Sequence, residues 1–303
     1  MIRNFGELLE AAQRKGPKRV ALAAGDDEAA LSALLEARKL GLAEGRVFGD
    51  REKTRAVAEQ LGATLDDFLE MQHIPDEALA AKEAVKSIKR GDSDILLKGK
   101  VQTSAFLKAV LDANDGLRTG RLLSDVFIFE DPRRAENQLI MITDGGVNLA
   151  PDLQHKKEIL LNAVDVAHRL GNQMPKVAVL SAVETVYPDL SSTVDAALLA
   201  KMNQRRQISG CIVDGPLALD NAVSPEAAKR KALDSPIAGA ADILICPTIE
   251  SANLLAKGTT YFAEFRLAHV IMGVAAPVLI PSRADSPDAK LLSIALGILV
   301  SDK

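Results

Sequence analysis

The chain has 303 residues, of which 48% are hydrophobic and 26% charged, with a formal net charge of −4, and that length suits one large α/β unit or two packed domains. Aromatics are 3%, tryptophan is absent and no extended basic run occurs, which argues against nucleic acid and against an anionic membrane surface as partners. The N-terminal stretch MIRNFGELLEAAQRKG lacks an apolar signal core and no run reaches the roughly 18 to 20 apolar residues that span a bilayer, so a cytoplasmic, soluble protein is expected.

Residues 3–15 predict an amphipathic helix, Arg19–Ala24 a strand ending in a GDDE turn, and Glu28–Leu40 a second helix. The rhythm repeats with strands at Arg46–Gly49, Leu69–Ile74 and Asp94–Lys98, each followed by a helical segment. Such alternation predicts a mostly parallel sheet covered by helices. VFIFE (126–130) and QLIMIT (138–143) are separated by only DPRRAEN, too short for a crossover helix, so this pair should be antiparallel and the sheet mixed. Beyond it come a helix over 151–170, strand 176–180, helix 193–205, strand 211–213, a helical stretch after Pro225, strand 242–246, helix 249–261, strand 278–280 and a terminal helix from Pro287.

Chemistry-bearing residues gather at strand exits. Gly99 follows a strand and permits close backbone approach, while the Thr103 and Ser104 hydroxyls stand where a helix start can hold an oxyanion; a capped helix is the plain alternative. Neither a Walker A loop nor a GxGxxG fingerprint is present. In PVLIPSRADSPDAK (277–290), Ser286 is placed to cap the last helix, with Pro287 in its first turn. The Ser282 hydroxyl and the Arg283 guanidinium beside unpaired amides suit a phosphate, or else form an ordinary capped loop. Arg133 and Arg134 occupy the hairpin loop, where a solvated turn is the simplest reading. Asp144, with Gly145, Gly146 and Asn148, follows a strand and can orient a water, take a proton or make an Asx turn. Glu184 with Thr185, and Asp214 with Gly215 and Pro216, are read as analogous strand ends, where open α/β sheets collect ligands. Asn221 and Ser224 can cap helices or line a cleft. His73, His155, His168 and His269 lack metal-ligand spacing, and Cys211 and Cys246 lack CxxC spacing, so surface or structural histidines, buried structural thiols and no metal site are expected.

Five ordered blocks then carry a family resemblance: KGKVQTSAFLKAVLD (98–112), TDGGVNLAPD (143–152), KVAVLSAVETVYPDLSSTVDAALLAKM (176–202), GCIVDGPLALDNAVS (210–224) and SRADSPDAKLLSIALG (282–297). The sequence resembles the phosphate acetyl/butyryltransferase family over nearly its whole length, and the butyryl branch in particular. The resemblance implies two α/β domains with mixed, mostly parallel sheets and a cleft between them, similar to the isocitrate/isopropylmalate dehydrogenase-like fold. Residues 1–137 with 276–303 would form one domain and 138–275 the other.

It further implies reversible transfer of a short acyl group, butyryl favoured, between coenzyme A and inorganic phosphate, through a ternary complex without an acyl-enzyme. Coenzyme A or acyl-CoA enters as co-substrate, no cofactor is held permanently, and a homodimer or larger homo-oligomer is expected. Arg283 is assigned to clamping the phosphoryl group and Ser282 to hydrogen bonding near the reacting carbonyl or leaving thiolate. Gly99, Thr103, Ser104 and Lys108 look like the phosphate end; Lys108 stands where many acetyl enzymes place an arginine and cannot reproduce a planar fork. Either Arg133 or Arg134 could hold substrate anions, and Asp144 and Asp214 line the site. Acetyl-specific relatives carry an aspartate seven positions beyond the motif serine, at Ala289 here; Asp288 lies one residue short, about 100° around a helix. Asp285 and Asp288 both remain candidates for the acid/base role. The alternatives are a phosphate acetyltransferase with acetyl preference, an NAD- and metal-dependent decarboxylating dehydrogenase, and a non-catalytic acyl-CoA-binding regulator.

Overall fold

A computed structural model describes residues 1–134, 138–282 and 284–301. In α1 (Phe5–Lys15), Phe5, Leu8 and Ala12 share the buried face expected of an amphipathic helix. Strict alternation follows: β1 (Lys18–Ala23), α2 (Glu28–Lys39), β2 (Ala43–Gly49), α3 (Arg51–Gln60), β3 (Glu70–His73), α4 (Glu77–Arg90), β4 (Ile95–Lys98) and α5 (Thr103–Val110). Aspartates start three of these helices: Asp27, Asp50 and Asp76 each accept first-turn amides, satisfying donors that the helix itself cannot.

The chain continues through β5 (Ser124–Glu130) and β6 (Leu139–Thr143), which pair antiparallel with Glu130 opposite Leu139 and Val126 opposite Thr143, as the short loop requires. Next come α6 (Leu153–Arg169), β7 (Lys176–Leu180), α7 (Ser191–Gln204), β8 (Ile212–Leu217), α8 (Leu219–Val223), α9 (Pro225–Arg230), β9 (Ile243–Ile245) and α10 (Ile249–Tyr261). The chain closes with β10 (Leu267–Met272), β11 (Val278–Leu279) and α11 (Pro287–Val300).

Two elements differ from the sequence reading in ways that matter to the site. Strand β10, LAHVIM, was absent from the expected elements; all six of its residues are buried, so it shows no polar alternation, and a histidine interrupts its apolar run. Strand β8 runs on through Gly215 and Pro216 instead of stopping at Val213. It is the edge strand of its sheet, where a proline's missing N–H removes no interior ladder bond.

Two compact units emerge. A terminal unit contains residues 5–121 and the chain from Leu267 onward; a central unit contains Met1–Asn4 and Leu122–Arg266. The divisions thus fall at 121/122 and 266/267, against the expected 137/138 and 275/276. The whole β5–β6 hairpin lies in the central unit and β10 in the terminal one.

Within the terminal unit the strand order is β3-β2-β1-β4-β11-β10. All neighbours are parallel except β10 and β11, which run antiparallel. The chain winds outward from β1 to β3 and then returns past β1 to β4, so winding reverses between β1 and β4. Their carboxyl ends form the crevice in which open α/β sheets bind ligands. Helix α11 is buried on nearly every face and serves as a core helix. The central unit orders its strands β5-β6-β9-β7-β8, parallel apart from the β5–β6 hairpin.

Candidate active site

At the carboxyl edge of the terminal unit, the exits of β1, β4 and β11 meet, because β1 and β11 both run parallel to β4 with Ala23 opposite Lys98 and Leu279 opposite Leu97. The β1 exit turns sharply at Ala24, whose φ is 60°, a left-handed conformation that an alanine adopts only at a cost of about 1 to 3 kcal/mol. The β4 exit presses against it: the Gly99 amide donates to the Ala23 carbonyl at 2.8 Å and the Lys100 amide to the Ala24 carbonyl at 3.0 Å. A Cβ at Gly99 would collide with the Ala24 carbonyl oxygen, so glycine is required there for close approach.

Helix α5 begins just beyond. Its N-cap is Gln102, which makes no side-chain capping bond, whereas α2, α3, α4 and α11 are all capped by their own aspartate or serine. Thr103 and Ser104 are exposed in its first turn. First-turn amides and the positive end of the helix dipole therefore face solvent beside two hydroxyls, an arrangement that accepts an oxyanion. Positive charge lies close by. Lys98 is buried with its ammonium donating to the Gly99 carbonyl at 3.2 Å, and Lys100 is 3.2 Å from Asp26. Lys108 is exposed in the last turn of α5, about 7.5 Å along the axis from Thr103.

The β11 exit brings in the C-terminal motif. Ser286 caps α11 by accepting the Ala289 amide at 3.2 Å, as its Ser-Pro sequence predicts. Asp285 closes a turn on Ser282: its Oδ2 accepts the Ser282 amide at 2.8 Å, and its own amide donates to the Ser282 carbonyl at 3.1 Å. The two carboxylate candidates are therefore unlike. Asp285 has a side chain only 7% exposed and is engaged in the turn, whereas Asp288 is exposed in the first turn of α11. Arg283 lies outside the described residues. Lys290, fully buried, reaches Asp27 at 3.5 Å and ties the motif helix to the first βα turn.

In the central unit, Asp144 follows β6 and gathers its own loop. Oδ1 accepts the amides of Asp125, Gly146 and Val147 at 2.9 to 3.1 Å, and Oδ2 accepts the Asn148 amide at 3.0 Å. Burial, followed by the neighbouring Asp125 carboxylate, pushes the Asp144 carboxyl above the usual aspartate range, against the hydrogen bonds that hold it down. Among the sequence alternatives this is the Asx-type turn, built into a buried anchor.

Three central-unit candidates sit elsewhere in that unit. Asp214 is not at a strand end: it lies within β8, opposite Ala178, with Oδ1 accepting the Gly215 amide at 2.9 Å. Arg133 forks onto Asp131 at 2.7 and 2.8 Å. Burial works to raise the Asp131 carboxyl, but the arginine's hydrogen bonds and charge hold it below its ordinary value. Arg134 is equally committed, donating to the Ala241 carbonyl at 2.8 Å. Both arginines sit at the loop end of the β5–β6 hairpin, and Asp144 sits at the other end, about 16 Å along the strand.

Glu184 accepts from the Lys231 ammonium at 3.2 Å and the buried Asn221 amide at 3.3 Å, and Ser224 caps α9. Burial pushes the Cys246 thiol up to about 12 and the Cys211 thiol up to about 11, so neither is a thiolate nucleophile near neutral pH. Among the described residues no group of three or more His, Cys, Asp or Glu could hold a metal ion, and no helix is long and apolar enough to cross a membrane. Sequence reasoning missed the surroundings of the motif turn: His269 of β10 lies against Asp285, and the six-residue strand that carries it offers no periodic signal.

A parallel-sheet edge with a close-packed glycine, a helix start without a side-chain cap and buried ammonium groups is an α/β arrangement suited to small anions. A family-wide pattern described as "Phosphate acetyl/butaryl transferase" matches residues 72–298. A phosphate butyryltransferase of Clostridium beijerinckii is 43% identical over 301 residues, covering 99% of each chain. A phosphate acetyltransferase of Thermotoga maritima is 42% identical over 291 residues, covering 96% of this chain and 97% of that one. Among solved structures, a branched-chain phosphotransacylase from Enterococcus faecalis superposes with a TM-score of 0.82 at 33% identity, covering 93% of this chain and 98% of the other. The chain belongs to the phosphate acetyl/butyryl transferase family and is an acyltransferase of it.

The structural match corrects the expected fold. The α/β architecture is that of the phosphotransacylases, and the isocitrate/isopropylmalate dehydrogenase-like assignment is overturned by that near-full-length superposition. The dehydrogenase comparison rests on the expected domain plan alone, with no nucleotide fingerprint in this sequence to support it.

Proposed function

We propose that this acyltransferase moves a short acyl group, butyryl in preference to acetyl, between coenzyme A and inorganic phosphate, with the phosphoryl group held at the carboxyl edge of the terminal unit. The observation that carries the proposal is the 43% identity to a phosphate butyryltransferase over 99% of both chains. The acetyl-transferring relative is almost as similar; the lean toward butyryl rests on the overall resemblance, and the ADS sequence at 284–286 is compatible with it.

In the degradative direction a phosphate oxygen attacks the thioester carbonyl carbon. The new C–O bond forms, the C–S bond breaks, and the thiolate leaves to take up a proton; the reverse reaction deprotonates the thiol and expels phosphate. Two anions must meet, and negative charge must be stabilised on the carbonyl oxygen. The first-turn amides of α5 with Thr103 and Ser104 would bind phosphate oxygens, Gly99 would let the backbone approach, and Arg283 would clamp the phosphoryl group as it reaches the acyl carbon. Ser282 would hydrogen-bond at the carbonyl or the leaving sulfur. Asp288, being exposed, is the carboxylate a substrate proton can reach, whereas Asp285 shapes the turn. Asp144 orders its loop, and its place in the site is carried by the resemblance alone.

The chain-length proposal has a direct check. One methylene in an apolar pocket is worth about 1 to 3 kcal/mol, so propionyl and acetyl groups should also be used, with kcat/KM highest for butyryl-CoA. Steady-state rates with the three thioesters decide; a preference for acetyl over butyryl of about tenfold or more in kcat/KM defeats the assignment. A homodimer belongs to the same proposal and rests on the resemblance. Light scattering at assay concentration should give at least twice the 32.3 kDa chain mass, and a persistent monomer mass removes that part alone.

A further inference from the structure

Strand β10 is aliphatic except for His269, which is 4% exposed. Burying an imidazole among apolar neighbours is costly without a polar partner, and the ionisable group beside it here belongs to the motif turn. Nε2 lies 3.8 Å from Asp285 Oδ2, and both side chains are almost fully buried, at 5% and 7% exposure. The same Oδ2 accepts the Ser282 amide at 2.8 Å. On the other side His269 is fixed: its amide donates to Ser293 Oγ at 3.0 Å, and that hydroxyl donates to the Ala289 carbonyl of α11 at 2.8 Å. Ile271 pairs with Val278 across the antiparallel β10–β11 ladder, which sets His269 beside the exit of β11. A line of buried groups therefore leads from α11 through His269 and Asp285 to the backbone of Ser282, its His269–Asp285 step a 3.8 Å contact in which Nε2 makes no hydrogen bond.

We infer that His269 is a positioning residue for acyl transfer, acting through Asp285 to hold the Ser282 turn in its reactive geometry. The inference rests on the proposed role of Ser282 at the reacting carbonyl. At 3.8 Å the imidazole acts on the carboxylate through space, and a displacement of about 1 Å brings Nε2 into hydrogen-bond range. Because the imidazole packs against the same carboxylate oxygen that accepts the Ser282 amide, replacing it changes where that oxygen rests. The turn then loosens at the step where the carbonyl must be stabilised, and substrate binding elsewhere is left alone.

The test is a kinetic cycle with purified protein, butyryl-CoA and inorganic phosphate. His269→Leu should lower kcat about tenfold while both KM values stay within about twofold, the signature of an interaction made in the transition state. His269→Gln, which keeps a donor, should recover most of the loss. In a double-mutant cycle, His269→Leu combined with Asp285→Asn should be no slower than Asp285→Asn alone, since the first acts only through the second. Should His269→Leu fail to fold, His269→Ala and Asp285→Asn carry the same cycle, with non-additive losses expected. Parental kcat in a folded His269→Leu protein, or fully additive losses, overturns the inference. Ser282→Ala separates the two claims. If it abolishes transfer while His269 variants match the parent, only the positioning role falls; if it keeps parental kinetics, the reading of the motif serine falls as well.

Discussion

Arg283→Gln is expected to lower kcat/KM for acyl transfer at least about 100-fold, equivalent to about 2.7 kcal/mol of transition-state stabilisation. Arginine presents five donors in a rigid fork and a permanent positive charge, matched to a phosphoryl group. Glutamine keeps much of the local volume but loses the charge and most of the fork. If the clamp acts mainly in the transition state, kcat carries the loss; if it also holds bound phosphate, KM for phosphate rises in the same variant. Thermal unfolding should change little. Arg283→Lys should recover part of the rate through charge alone. Steady-state kinetics in both directions, beside a melting curve, check the whole set. Near-parental kinetics in a folded Arg283→Gln protein would return the SRADS turn to an ordinary capped loop.

Gly99→Ala should show the opposite signature, a loss of stability that drags function with it. The added Cβ meets the carbonyl oxygens of Ala23 and Ala24 and the Ala24 carbonyl carbon, all backbone atoms of a neighbouring strand that cannot rotate aside. Overpacking of this kind costs about 1 to 3 kcal/mol, and with no flexible side chain to yield, the upper end is expected. The β1 and β4 exits must separate, and the β4–α5 turn that presents the Thr103 and Ser104 hydroxyls moves with them. Urea unfolding should show a lower midpoint with an unchanged slope, and KM for phosphate should rise in the fraction that folds. An unchanged midpoint together with unchanged phosphate KM would contradict the close approach on which the proposed phosphate site depends.

How much of this could be read from residues differs from one element to another. The β5–β6 pairing was legible because seven connecting residues cannot make a crossover, and the α11 start because Ser286-Pro287 is a local capping signal. Strand β10 was not, since a strand buried on both faces has no alternation to detect, and its histidine lowers the apolar signal. Asp214 was misplaced because Gly-Pro reads as a terminator, whereas an edge strand tolerates it. The Arg133 pairing depends on Asp131, two residues earlier in the same loop, and local sequence does not say whether an arginine turns to a substrate or back to its own turn. Likewise Asp285 and Asp288 look equivalent in the motif; only the fold buries one against His269 and leaves the other exposed.

In the proposed reaction inorganic phosphate is the acyl acceptor from an acyl-CoA thioester. Free thiol release from butyryl-CoA, followed with and without added phosphate and matched to the butyryl phosphate formed, tests it most directly. Thiol release should require phosphate, saturate with it, equal the acyl phosphate produced and proceed without NAD. Thiol release independent of phosphate would mark a hydrolase, and tight binding of butyryl-CoA with no turnover would mark a regulator; either result contradicts the account.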